Sequence, residues 1–293
     1  AERTLKAGVT AVRDLGAPDG IDFALKKSIN TGLLPGPRML VSGRVICMTG
    51  GHGWTMGCEA DGPDECRKAA RSQIKAGADV VKVMATGGVM TQGVEPGSPQ
   101  FTVEEMRAAI EEGHKAGRRC ATHAQGLRGI KNAIEAGIDS IEHGVFLDRE
   151  AVDMMLERGV YLVPTLAAPH NIIKNGIAAG VPEFAVRKTE AIYDSHVNSF
   201  RLALEDGVKI ASGTDAGTPF NLNGDLAVEL RLMVEAGMTP AAALVSATQT
   251  AAELLGLQDQ VGAIEVGRFA DILIVNGDPV EDITSLQRVV AVF

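Results

Sequence analysis

Aromatic residues are scarce in this chain, 4% of 293 residues, which argues against a strongly aromatic binding cage. Apolar runs are short, and none reaches the roughly 18 residues that a membrane span requires. Basic residues are in the minority: 28 Lys and Arg face 37 Asp and Glu, a net charge of −9. That balance speaks against nucleic acid or an anionic membrane surface as a partner. The four cysteines (Cys47, Cys58, Cys66 and Cys120) lack zinc-motif spacing and are read as reduced and unpaired, which suits a cytoplasmic protein. Low-complexity tracts and internal repeats are absent, and the first residues do not read as a charged-then-apolar leader. What remains is a chain that is 45% hydrophobic and 22% charged, long enough to bury a large core. It opens inside a helical pattern, "AERTLKAG", and stops on an apolar strand, "RVVAVF". Both ends read as cut, so a partial chain is expected.

Short apolar runs alternate with helical patterns along most of the sequence. The strand-like runs are "VTAVRDLG", "PRMLVSG", "DVVKVMA", "RRCATHA", "SIEHG", "VYLVPTL" and "VKIASGTDAG", each followed by a loop or an amphipathic segment. Nearly continuous apolar strands alternating with helices indicate a parallel sheet covered by helices. Seven strands are one short of a closed (β/α)8 TIM-type barrel, so the expectation is such a barrel with its first strand missing. A doubly wound open sheet is disfavoured because no G-x-G-x-x-G opens a helix after the first strand. From about Gly256 the alternation ends, and "VGAIEVGRFADILIVNGDP" and "QRVVAVF" read as strands of a small β subdomain. Residues 1–255 are therefore expected to form the barrel and residues 256–293 part of the subdomain.

The strand "DVVKVMA" carries Lys82 in an otherwise apolar setting. An unpaired ammonium costs several kcal/mol there, so it must be neutralised, paired or chemically modified. Three further strands end in metal-ligand types: His123 in "CATHA", His143 in "SIEHG" and Asp215 in "SGTDAG". In a barrel all of these lie at strand carboxyl ends, where such folds place their chemistry. Two imidazoles on neighbouring strands with a carboxylate suit a divalent ion such as zinc. A desolvated lysine also has a lowered pKa, and its neutral amine can take up carbon dioxide as a carbamate, an anionic ligand able to bridge two cations. The same desolvation would activate a Schiff-base lysine of an aldolase, although that reading leaves His123, His143 and Asp215 without a shared role. A non-catalytic scaffold is the third reading.

Other residues carry weaker signals. His52, in "GGHGW", either polarises a substrate carbonyl or sits in a glycine-marked turn. His170 lies in what reads as a polar loop and is a candidate substrate contact. Asp14 is expected to order the barrel top by hydrogen bonding. His114 and His196 fall within helices among charged residues and are read as solvated or packed.

Taken together, "AGVTAVRDLG", "GGHG", "VVKVMATGG", "ATHAQG", "SIEHG", "YLVPT", "SGTDAG" and "VGAIEVGRFADILIVNGDP" resemble the amidohydrolase superfamily, most closely its imidazolonepropionase-like and prolidase-like (Xaa-Pro dipeptidase) branch. The resemblance runs nearly the whole chain. It implies a (β/α)8 barrel with a β-sandwich built from both chain ends, and a site for two divalent ions, zinc above all. It makes Lys82 the carboxylated bridging ligand, gives one metal to His123 and His143, and assigns the other metal and the proton shuttle to Asp215. His52 would stabilise the oxyanion. The implied reaction is metal-dependent hydrolysis of an amide bond in a dipeptide or N-acyl amino acid. A mononuclear deaminase of the same superfamily would not need Lys82. One departure stands out: the family's H-x-H pair on strand one has no counterpart here, so the segment as given is not expected to be fully active. The substrate is then a small molecule or dipeptide, and a homo-oligomer, packed dimer or larger ring, stays open.

Overall fold

A computed structural model describes residues 1–293. A short helix α1 (Glu2–Lys6) leads into strand β1 (Ala11–Asp14), helix α2 (Ile21–Asn30) and strands β2 (Arg38–Val41) and β3 (Val45–Cys47). Strand β4 (Gly57–Glu59) lies in the glycine-rich stretch and is followed by α3 (Pro63–Ala76) and β5 (Val80–Met84). The alternation continues with α4 (Val103–Lys115), β6 (Arg119–Ala124), α5 (Leu127–Ala136), β7 (Ser140–His143), α6 (Arg149–Arg158) and β8 (Tyr161–Val163). Then come α7 (Ala167–Asn175), the long α8 (Glu183–Glu205), α9 (Leu226–Glu235), α10 (Pro240–Ala247) and α11 (Gln249–Leu255). Strands β9 (Leu273–Val275) and β10 (Val289–Val292) close the chain.

Local chemistry sets these boundaries. Thr102 and Glu105 form a reciprocal capping box at the start of α4, and the Asp148 carboxylate accepts the Ala151 N–H at the start of α6. Gly137 ends α5 at a φ of 98°, the left-handed conformation that glycine adopts without steric cost. Every residue of β5 is buried, Lys82 included, as a strand covered on both faces requires. The core fills the space between sheet and helices with Ile46, Val83, Ile110, Ile130, Ile141 and Leu162.

Six parallel strands form one sheet in the order β4-β3-β5-β6-β7-β8, and β1 pairs with β2 in parallel. Strands β2 and β3 are one course of chain interrupted near Gly43, which has a φ of 67°. The Asp79 N–H donates to Val41 O at 2.8 Å, tying β2 to the approach to β5. On the far side, Ile210 bridges Leu162, which sets the "VKIAS" segment beside β8 without a regular ladder. The sheet does not close into the expected (β/α)8 barrel. It curls nonetheless, because Arg13 on β1 reaches across its interior to Glu142 on β7 at 2.7 Å.

Strands β9 and β10 pair antiparallel and are held to the sheet by an Arg38–Asp271 ion pair at 2.9 Å. The "AIEVG" segment forms no strand, and Ile264, Val266, Ile274, Val290 and Phe293 are all exposed. No helix is long and apolar enough to cross a membrane.

Candidate functional site

Lys82, His123 and His143 lie on three adjacent strands, β5, β6 and β7, at or near their carboxyl ends. The register pairs Met84 with His123 and Ala124 with His143, so parallel pairing alone brings both imidazoles to one end of the sheet. His52, delivered by the loop before β4, joins them. The His52 and His123 rings are 4.3 Å apart between centroids, and those of His123 and His143 are 4.5 Å apart.

Hydrogen bonds fix which nitrogen of each ring is free. His123 Nε2 lies 2.9 Å from Gly87 O, so it carries the hydrogen, and Nδ1 keeps its lone pair. For His143, Nδ1 lies 2.6 Å from Thr165 Oγ1, while that hydroxyl donates its own hydrogen to Pro164 O at 2.6 Å. Nδ1 of His143 is therefore the donor and Nε2 the open nitrogen. Burial holds both rings well below the ordinary imidazole range, and their neighbours reinforce it: His52, His143 and Lys82 act on His123, and Lys82, His196 and His52 on His143. Both are neutral, the form in which imidazole binds a cation.

Lys82 is 6% exposed and its amine makes no hydrogen bond or ion pair within the protein. Burial pushes it down to about 8, with Glu142 and Asp215 pulling it back up and Arg13 pressing it further down. Asp215 has an open residue surface, but its carboxyl group is densely surrounded, and that desolvation raises it against the pull of Lys82. Its carboxylate oxygens accept no hydrogen bond. The amine and the carboxylate each shift the other, which places them in one electrostatic neighbourhood.

His52 is oriented by two contacts. Its backbone N–H donates to Gln100 Oε1 at 3.0 Å, and its ring Nδ1 lies 2.8 Å from Thr91 Oγ1. A Cβ on Gly88 would fall 2.5 Å from this ring, so only glycine lets the β5–α4 loop pass over it. Burial lowers His52 to about 4, helped by Lys82 and Lys188.

Three of these residues have left-handed backbone without being glycine: His143 at φ 74°, Thr165 at 54° and Asp215 at 55°. Such strain costs about 1–3 kcal/mol per residue and clusters at functional sites. Here it falls at the ends of consecutive strand segments.

His170 is half-buried on α7, in a helix rather than the expected polar loop. Burial lowers it, with Arg231 and Lys174 acting alongside, and none of these groups belongs to the histidine cluster. Asp14 accepts the Gly16 N–H at 3.1 Å at the end of β1. His114 pairs with Asp139 on the surface at 2.9 Å. With Cys120 they form the one trio whose ligand atoms lie within 4.8 Å of one another. That trio sits at the opposite end of β6, and Asp139 is already engaged by Arg119 and the Cys120 N–H. His196, expected among charged residues, is 2% exposed and donates from Nε2 to His143 O at 3.0 Å and Pro164 O at 2.7 Å.

Sequence reading passed over Glu229 and Thr165. Glu229 had a readable signal: it lies on the apolar stripe of α9 with Leu226, Leu230 and Met233. Thr165 had none, because its partner is 22 residues away.

The donor set suits divalent cations. It has two neutral imidazoles with open nitrogens, an unbonded carboxylate, and a buried amine that no protein group pairs.

Comparison with known proteins bears on the same residues. The Amidohydrolase family profile matches residues 1–293. The chain is 35% identical to ochratoxinase of Aspergillus niger over 315 residues, covering 98% of this chain and 64% of that protein. It thus spans less than two thirds of that curated relative. A crystal structure of a Xaa-Pro dipeptidase with bound methionine superposes with a TM-score of 0.92 at 40% identity, over 99% of this chain and 75% of the other. A prolidase complexed with N-methylphosphonate-L-proline gives 0.91 at 32% identity, over 100% of this chain and 76% of the other. The chain belongs to the amidohydrolase family, whose members generally work with divalent metal ions.

Proposed function

We propose that this chain carries the catalytic site of a metal-dependent hydrolase that cleaves the amide bond of a dipeptide or N-acyl amino acid. The observation that carries the reading is the placement of Lys82, His123 and His143 on three adjacent strands at one end of the sheet, with the two imidazole rings 4.5 Å apart and Asp215 close enough for its charge to act on Lys82. The likeness to a Xaa-Pro dipeptidase and to a prolidase holding a proline phosphonate supports the substrate class.

In this reading His123 and His143 would hold one divalent ion, Asp215 would contribute to a second, and Lys82 would bridge them as a carbamate. Zinc fits the imidazole and carboxylate donors. Bound there, the ions supply Lewis-acid polarisation of the scissile carbonyl and a lowered pKa for water. The neutral Lys82 amine forms an N–C bond to carbon dioxide and releases one proton, giving the anionic carbamate. Burial favours that amine by pushing Lys82 down to about 8.

Asp215 accepts the proton of the attacking water as the C–O bond forms, and returns it to the leaving nitrogen as the C–N bond breaks. Its desolvated surroundings raise its affinity for that proton. His52 lies beside His123 and offers its ring to the developing oxyanion. The imine-forming reading of Lys82 gives no task to the two tautomer-fixed histidines. Residues 256–293 are taken as part of a β-sandwich subdomain beside the sheet. The four free cysteines support a reducing, cytoplasmic setting.

The test is hydrolysis of a panel of Xaa-Pro dipeptides and N-acyl amino acids, followed by release of the free amino acid. Asp215→Asn is expected to lose about 10²-fold or more in kcat. Turnover unchanged by that substitution overturns the reading.

A further inference from the structure

Thr165 is β-branched yet holds a φ of 54°. A residue of this shape stays there only if its surroundings over-determine it. Two buried side chains from outside the sheet supply that restraint. From α9, Glu229, with no exposed surface, accepts the N–H of Leu166 at 2.9 Å on Oε1 and of Ala167 at 2.7 Å on Oε2. From α8, His196 Nε2 donates to Pro164 O and His143 O at 2.7 and 3.0 Å. Pro164 O also accepts the Thr165 hydroxyl, so both of its lone pairs are engaged.

The consequence falls on His143. With its hydrogen committed to Pro164 O, the Thr165 hydroxyl can only accept from His143, so Nδ1 is protonated and Nε2 is left open. His196 pays for its position, since its Nδ1 is buried with no partner.

We propose that Glu229 and His196 are positioning residues that clamp the Pro164–Ala167 turn from its two sides, so that Thr165 sets the tautomer of His143. Neither residue touches substrate or the reacting atoms. This inference deepens the metal-hydrolase reading and rests on it for its purpose, but the clamp itself is a property of the chain without metal. Outer hydrogen bonds of this kind typically change metal affinity 10–100-fold when removed.

The test reads the His143 tautomer directly, by long-range ¹H–¹⁵N correlation of the imidazole nitrogens in the metal-free chain. Wild type is expected to show Nδ1–H and an unprotonated Nε2. Thr165→Val, Glu229→Gln and His196→Phe, which has no donor, are each expected to populate the Nε2–H form, and Thr165→Ser, which keeps the hydroxyl, to restore the wild-type spectrum. Zinc affinity, measured by competition with a chelator, is expected to fall 10–100-fold in the first three. A wild-type spectrum in Thr165→Val, or in both folded clamp variants, overturns the proposal. Thr165→Val remains decisive if the two buried substitutions fail to fold, as judged by circular dichroism. If wild type binds no zinc while the tautomer still shifts in the variants, the metal reading fails and the clamp stands.

Discussion

Arg13 and Glu142 form an ion pair at 2.7 Å across the inside of the curled sheet, with side chains only 10% and 5% exposed. The Ser140 hydroxyl donates to the same carboxylate at 2.6 Å. The pair joins β1 to β7, strands that are not neighbours in any ladder, and it lies against Lys82, which both charges influence. Removing one partner leaves an uncompensated buried charge. Arg13→Leu and Glu142→Leu are each expected to cost about 3–5 kcal/mol, and the double substitution less than their sum. Urea denaturation of the four proteins measures this. Single variants as stable as wild type would mean that β1 is not anchored through this pair.

The loop between β5 and α4 is latched from α8. Lys188, with its side chain 11% exposed, donates to Thr91 O at 2.9 Å and Val94 O at 2.6 Å, and Thr91 in turn touches the His52 ring. Hydrogen bonds from a charged donor contribute about 1.5–3 kcal/mol each. Lys188→Met is therefore expected to speed amide exchange over residues 88–98 tenfold or more, with the β6 and β7 amides unchanged. Equal exchange in the variant contradicts the latch.

The surface pair of His114 and Asp139 gives a pH dependence with a definite sign. The hydrogen bond it donates to Asp139 raises His114 above 6.5, outweighing burial. Burial alone would raise Asp139, but His114, the Cys120 N–H and Arg119 together hold it below 3.8. The histidine's contribution is full below 6.5 and is lost as pH rises through its raised folded value. The aspartate's is present above 3.8 and is lost as pH falls through its lowered one. His114→Gln should thus destabilise most near pH 5–6, by about 0.5 kcal/mol because the imidazole is half-exposed, and hardly at all by pH 9. Thermal melts across that range read the difference, and a gap that widens with pH would reverse the assignment.

Local pattern revealed the strands and the residues at their ends, because a run such as "DVVKVMA" satisfies no other element and parallel register does the rest. The closed barrel was not recoverable in this way. Closure depends on pairing between the first and last strands, and here the "VKIAS" segment meets β8 through a single bridge. His170 was misplaced into a loop because Pro169 precedes it, yet Pro169 is the third residue of α7, in the first turn, where a missing N–H breaks no helical bond. His196 reads as either solvated or packed from its charged neighbours, and the structure shows it packed, on a buried face with Ile192, Ser199 and Phe200. Tautomers and the left-handed backbone at His143, Thr165 and Asp215 depend on contacts between distant segments, which no local periodicity encodes.

The central claim is that Lys82, His123, His143 and Asp215 hold divalent metal. The most direct measurement is zinc bound per chain after dialysis in the presence of bicarbonate, by elemental analysis, for wild type, Lys82→Ala and the His123→Ala/His143→Ala pair. The account expects at least one tightly held ion in wild type, a marked loss in Lys82→Ala and none in the double variant. Wild type carrying no more zinc than the double variant would contradict it.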